Sequence, residues 1–206
     1  SLPASWSTKT QGNNVSGAST DRLSKESTNL TEKELIEGCI AKNSQSQRAV
    51  FDMYAGKMLT VCRRYARHRL EAEDLLQDGF IRVFQKVHTF KFNGSFEGWV
   101  RRVMINVALK NYQRSSFQRE QIGLEGYQEE STDPTIFASL HEEELLKLVA
   151  QLPEGYRMVF NLYAIEGYSH AEVAEMLKIG ESTSRSQLVK ARKMLQLKVR
   201  ELMKNK

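Results

Sequence analysis

The stretch from Ser169 to Leu195, SHAEVAEMLKIGESTSRSQLVKARKML, constrains the fold more than any other part of this chain, because it encodes two short helices around a tight turn. Ser169 and Glu172 have the S-x-x-E spacing of a capping box, in which each side chain satisfies a backbone N–H left open at a helix start. Val173, Ala174 and Leu177 then share one helical face, Ile179 and Gly180 occupy the turn, and a second apolar stripe follows at Leu188, Ala191 and Leu195. The small Ala174 lets the two helices cross closely. From Ser182 to Lys206 there are eight Lys or Arg and one acid, Glu201. A helix of that charge suits a polyanion.

A solvated basic helix at a chain end would carry the same charges, which also complement the negative end of the helix dipole. The capped first helix, the short turn and the polar Ser182, Thr183, Arg185, Ser186 and Gln187 at the leading end point instead to groove reading. When a helix-turn-helix docks on DNA, the N-terminal residues of its second helix meet base edges. Arg and Gln make bidentate contacts to guanine and adenine, each worth about 1–3 kcal/mol of discrimination. Lys190 and Lys193, a turn or more further on, are placed for phosphate.

The 206 residues have room for one large or two small domains, and 40% hydrophobic content supports ordinary cores. The formal charge of +5 favours a nucleic-acid partner over an acidic one. No run approaches the roughly 18 apolar residues of a membrane span, and the start lacks a secretory pattern, so a cytoplasmic protein without membrane insertion is expected. Cys39 and Cys62 lie within apolar helical patterns and read as reduced, buried thiols. His68, His88, His141 and His170 are scattered without ligand spacing, and neither a metal site nor a cofactor is expected.

Residues 1–30 are rich in Ser, Thr, Asn and Gly and read as a disordered arm; the chain begins at Ser1, either a remnant of expression or a processed end. Thr31 and Glu34 form another capping box, and apolar positions recur at helical spacing through Leu35, Ile36, Cys39 and Ile40, then Phe51, Tyr54, Met58, Leu59 and Cys62. The pattern continues through Leu75, Leu76, Phe80, Val83 and Phe84, and through Trp99, Val100, Val103, Val107 and Tyr112, ending near Ser116. From Glu120 to Glu144 there are eight acids and no Lys or Arg, with Gly123, Gly126 and Pro134 breaking regular structure. The expected architecture is all-α: two small helical domains, 31–116 and 138–206, joined by an acidic flexible linker over 117–137.

In the first domain, Thr89 to Arg114 interleaves Phe90, Phe92, Phe96 and Trp99 with Lys91, Arg101, Arg102, Lys110 and Arg114. Aromatics beside cations can hold unstacked bases, at about 1–3 kcal/mol per base, although Phe96 and Trp99 fit a core better. Phe92, Asn93 and Ser95 read as loop, and Asn106, Lys110, Gln113 and Arg114 as an exposed helical face. Glu71, Glu73, Asp74, Gln77 and Asp78 surround an otherwise apolar helix. They suit a helix start or a docking surface for a basic protein; catalysis by paired carboxylates lacks a nucleophile, a phosphate-binding loop and metal ligands, so no enzyme is expected.

Taken in order, FDMYAGKMLTVCRRYA, AEDLLQDGFIRVFQKVHTF, SFEGWVRRVMINVAL and the run LPEGYRMVFNLYAIEGYSHAEVAEMLKIGESTSRSQLVKARKML resemble the successive blocks of the bacterial extracytoplasmic-function (ECF, group IV) sigma factors of the σ70 family. The resemblance spans about Thr31 to Leu202. It implies a σ2 domain that binds the β′ clamp helices of core RNA polymerase through Glu73, Asp74, Gln77 and Asp78. The same domain would recognise and open the −10 promoter element, with Phe90, Phe92, Asn93, Ser95 and Asn106 at its loop and helix and Lys110 and Arg114 near the DNA backbone. It also implies a σ4 domain that reads the −35 element through Ser182, Thr183, Arg185, Ser186, Gln187, Lys190 and Lys193 and contacts the β flap. The linker is too short for the middle domain of larger sigma factors, and its acidity resembles a strand mimic in the polymerase's RNA channel. An anti-sigma factor or other recruiting protein is the kind of further partner such a family implies, with the protein nucleoid-associated when bound to polymerase.

Two positions depart from that family's pattern. The recognition helix reads STSRSQ where many members have GTVKSR, so Ser184 replaces an apolar valine, with slightly weaker packing and a shifted base preference expected. Lys110 stands where many members carry Asp. The polar arm before Thr31 is longer than a minimal member needs and is a candidate docking segment for another partner. A stand-alone helix-turn-helix regulator is the alternative reading, and a nucleic-acid-processing enzyme the third.

Overall fold

Several helix starts in this chain are fixed by side chains that take up the first free N–H groups. Thr31 and Glu34 close a reciprocal capping box at the start of α1 (Glu32–Ile40), with the Thr31 N–H donating to Glu34 Oε2 at 2.7 Å. Asn43 accepts from the N–H groups of Gln45 and Ser46 and opens α2 (Ser44–Tyr65). The ring of His68 accepts from the Glu71 N–H at 3.2 Å and opens α3 (Arg69–Lys86). A short 3₁₀ turn (Val87–Thr89) and a loop lead to α4 (Phe96–Arg119). The second half holds α5 (Glu142–Ala150), α6 (Glu154–Phe160) running into a π turn (Asn161–Ile165), α7 (His170–Leu177) and α8 (Glu181–Lys204).

The computed structural model describes residues 30–119 and 142–204, with side chains at 30–114 and 144–204. The expected arm and most of the acidic linker lie outside the described residues. Helices account for all regular structure among the described residues, and no helix there is long and apolar enough to cross a membrane. Glu142–Glu144, counted with the acidic run, belong to the first helix of the second half.

The first half is a bundle of α1–α4 around Phe80, Phe96, Met58, Met104 and Ile105. Gly79 of α3 leaves room for Met104 of α4: a Cβ there would lie 2.0 Å from Met104 Sδ. Cys39 and Cys62 are free and buried, and burial pushes their thiols up to about 11 and about 12, as expected of inert core thiols.

The second half packs α6, α7 and α8 around Leu162, Val173, Leu188, Ala191 and Leu195. The two halves meet. Their buried apolar side chains form one continuous cluster, and polar contacts cross the seam. Arg101 grips Glu166 through two bonds of 2.7 and 2.8 Å, Asn161 Nδ2 donates to the Arg64 carbonyl at 2.6 Å, and Gln113 Nε2 donates to the Met176 carbonyl at 2.9 Å. Gln113, expected on an open face, is therefore half-buried in the seam. The π turn and its C-cap present Asn161 and Glu166 there, consistent with the use of such bulges at special sites.

Candidate nucleic-acid interface

Residues 90–95 connect the 3₁₀ turn to α4 as an exposed loop over a buried aromatic stack. Phe90 is only 8% exposed. Its ring lies 5.1 Å from Phe96, 5.8 Å from Trp99 and 5.2 Å from Phe92. Phe96 and Trp99 stack at 5.7 Å with 15° between their planes. Phe90, expected at the DNA contact, thus belongs to the floor of the loop, and Phe96 and Trp99 fall in and beside the core as their spacing suggested.

Phe92 is different. It is 44% exposed at φ 56°, followed by Gly94 at φ 95°. A bulky residue at positive φ stores of the order of 1–3 kcal/mol, and this one turns its ring to the rim. Asn93 and Ser95 are exposed beside it, and Ser95 Oγ accepts from the Gly98 N–H at 3.3 Å, capping α4.

From that loop α4 carries Asn106, Lys110 and Arg114 outward at four-residue intervals, all exposed. Facing Lys110 and Arg114 across a groove of about 240 Å³ are Asp78, Arg82 and Gln85 of α3. A neighbouring groove of about 220 Å³ is lined by Arg82, Lys86, Asn106 and Lys110. Arg82 and Lys86 were not among the expected contacts, although their spacing of four along α3 after Asp78 put them on one face. Of the acidic group, Asp74, Gln77 and Asp78 are exposed, while Glu73 is half-buried and tied to Arg69 at 2.7 Å. Asp78 therefore stands at the border between the acidic face and the basic groove.

The helix-turn-helix is built as its sequence suggested. Ser169 and Glu172 form the reciprocal capping box, with the Ser169 N–H donating to Glu172 Oε2 at 2.8 Å and the Glu172 N–H to Ser169 Oγ at 3.3 Å. The Ser169 N–H and then the Ser169 hydroxyl, both donating to Glu172 Oε2, hold the Glu172 carboxyl below its ordinary value. The left-handed residue that ends α7 is Lys178, at φ 56°, and not Gly180; the Ile179 N–H reaches back to the Ala174 carbonyl at 3.0 Å. Along α8, Ser182, Thr183 and Arg185 are exposed and Ser186, Lys190 and Lys193 half-exposed. Arg185 is held by Glu181 one turn earlier. Gln187 turns inward: a Cβ on Gly155 would touch both Gln187 Oε1 and the Tyr112 hydroxyl at 3.4 Å.

Ser184 does not leave a packing defect. It is fully buried, and its Oγ lies 2.9 Å from His170 Nδ1. The His170 ring stacks on Tyr163 with centroids 4.2 Å apart. Burial, then the nearby Arg185 charge, keeps the His170 pKa below its ordinary value. Among the described residues no group of three or more acids, histidines or cysteines could hold a metal ion.

Residues 50–117 match the family Sigma-70 region 2, and residues 142–195 match Sigma-70, region 4. The chain is similar to the ECF RNA polymerase sigma-E factor of Haemophilus influenzae, at 24% identity over 84% of this chain and 98% of that protein. It is similar also to the ECF RNA polymerase sigma factor SigW of Bacillus subtilis, at 27% identity over 74% of this chain and 88% of that one. Among solved structures it resembles the sigma factor RpoE in complex with the anti-sigma factor NepR from Bartonella quintana, at 18% identity and a TM-score of 0.45, covering 75% of this chain and 96% of that one.

Proposed function

Since the chain belongs to the ECF RNA polymerase sigma factors, with σ70 regions 2 and 4, and so directs RNA polymerase to promoters without being an enzyme, we propose how its residues divide that work. Residues 31–116 form the σ2 domain, which holds the β′ clamp helices through Asp74, Gln77 and the outer edge of Asp78, with Glu73 braced by Arg69. The same domain opens the −10 element. Residues 138–206 form the σ4 domain, which reads the −35 element through Ser182, Thr183 and Arg185, sets Lys190 and Lys193 against phosphates, and meets the β flap. The work takes place in the cytoplasm, where polymerase and promoter are, and an anti-sigma factor is the expected regulator.

The observation that carries the −10 assignment is Phe92, an exposed aromatic held at positive φ against the buried Phe90 ring. An extruded base needs a stacking surface to offset its lost pairing, and the cations Lys86, Lys110 and Arg114 along the α3–α4 grooves neutralise the strand backbone. Asn93 and Ser95 supply hydrogen bonds to base edges beside that ring, and Asn106 does so further along α4. Arg82 and Lys86 join Lys110 and Arg114 as backbone contacts.

The test is transcription in vitro with core polymerase and a promoter library. Polymerase-dependent initiation at a defined pair of −35 and −10 sequences is expected, lost on Phe92→Ala at the opening step and on Asp74→Arg at the core-binding step. Unchanged opening with Phe92→Ala would remove the loop assignment.

A further inference from the structure

A buried hydroxyl is unfavourable unless it is hydrogen-bonded, so the fully buried Ser184 demands an account where an apolar residue would pack without one. Its partner, His170, is the first residue of α7, and Ser184 lies in the first turn of α8. The bond thus ties the opening turns of the two helices of the motif. A directional bond at that point adds to the packing a constraint of distance and angle on rotation of α8 about its own axis.

A second tie lies two turns on. Tyr163, from the π turn, stacks on His170 with one face region, and the Arg192 guanidinium of α8 lies 6.0 Å from the Tyr163 ring centroid. That distance falls within the range of a cation–π attraction. Ser184 and Arg192 are about 12 Å apart along α8 by helical rise. Two anchors at that separation set both the roll and the tilt of the helix. The side chains governed by that setting are those of Ser182, Thr183 and Arg185, which flank Ser184 on the exposed side.

We infer that His170, Tyr163 and Ser184 are positioning residues for the recognition helix, coupled as one polar bracket that sets the angle at which Ser182, Thr183 and Arg185 meet the −35 base edges. This rests on the reading that the leading end of α8 contacts the −35 element. On it, Ser184 contributes to specificity without touching DNA, and the departure from valine is one half of a pair whose other half is His170.

The experiment uses the full chain with core polymerase and a −35 library randomised one base pair at a time, comparing Ser184→Ala, His170→Phe, the double variant, and Lys190→Ala. His170→Phe keeps an aromatic ring for Tyr163 but removes the bond. Each single variant is expected to lower discrimination between the best −35 sequence and its single mismatches by about three- to tenfold, with core-polymerase affinity unchanged. The double variant should be no worse than either single one, as expected when both remove the same contact. Lys190→Ala should weaken all sequences alike. If Ser184→Ala and His170→Phe leave discrimination unchanged, or weaken all −35 sequences equally, while Lys190→Ala lowers affinity, the bracket fails and the −35 reading stands. If Lys190→Ala also leaves promoter binding untouched, the −35 reading fails and the bracket with it. A double variant whose losses add would show two independent structural effects and overturn the coupling.

Discussion

The loop at 90–95 and the leading turn of α8 both present a few polar or aromatic groups to solvent, but they are held by opposite means. Beneath the loop lie Phe90, Phe96 and Trp99, a contiguous aromatic stack with no polar tie among them. Beneath the turn of α8 lies a polar contact, Ser184 on His170. Apolar support is strong and tolerant of direction, which suits a surface on which any unstacked base can settle. A hydrogen bond is weaker and directional, which suits side chains that must meet particular base edges. The difference separates a region that supplies a surface from one that supplies an orientation.

The largest effect should come from breaking the apolar support. Phe96→Ala removes a fully buried ring and should cost about 3–5 kcal/mol of stability, measurable by denaturant unfolding, and it should abolish opening because the floor of the loop goes with it. Phe92→Gly should do the reverse to stability while still impairing opening. Glycine adopts φ 56° without the strain a phenylalanine carries, so the fold should gain up to about 1 kcal/mol as promoter opening falls. Loss of both together would mean that Phe92 is a packing residue and that the contrast between floor and rim is wrong.

On the α8 side the expected effects are smaller. Lys190→Ala should weaken DNA binding evenly across sequences and reduce the slope of log affinity against log salt by about 0.9, one phosphate's worth; a titration across salt concentrations checks it. The smallest effect is pH-dependent. Because the His170 pKa is lowered in the folded state, first by burial and then by Arg185, the folded chain binds fewer protons there than the unfolded one. Its contribution is present above the unfolded value near 6.5 and is lost as pH falls below that toward the folded pKa. Thermal unfolding between about pH 5 and 7.5 should show this slope, and His170→Phe should flatten it.

Much of this contrast is legible in the sequence where the cause is local. The Thr31–Glu34 and Ser169–Glu172 boxes announce two helix starts because a capping box is complete within four residues, and Leu188, Ala191 and Leu195 announce the buried stripe of α8 by their period. Periodicity identifies an aromatic segment but not which ring at its edge goes under: Phe90 and Phe92 are two residues apart, and only the positive φ at Phe92 sends it outward. Ile179 and Gly180 read as the turn, and the left-handed residue that opens it is Lys178, the C-cap of α7, which local pattern does not single out. The seam depends on Arg101 and Glu166, 65 residues apart, and Ser184 finds His170 across 14. Nothing in the local pattern points to such partners, which is why Ser184 read as a packing loss and Gln113 as a solvent-facing side chain.

The division between surface and orientation is tested most directly by comparing single-round initiation by polymerase carrying wild-type chain or Phe92→Ala on two templates, one fully duplex and one already unpaired across the −10 element. Loss of a stacking contact worth about 1–3 kcal/mol should slow initiation on the duplex by about 5- to 150-fold, with most of the rate recovered on the unpaired template and −35 preference unchanged on both. An equal loss on the two templates, or a shift in −35 preference, would contradict the assignment of strand opening to the loop and of upstream reading to α8.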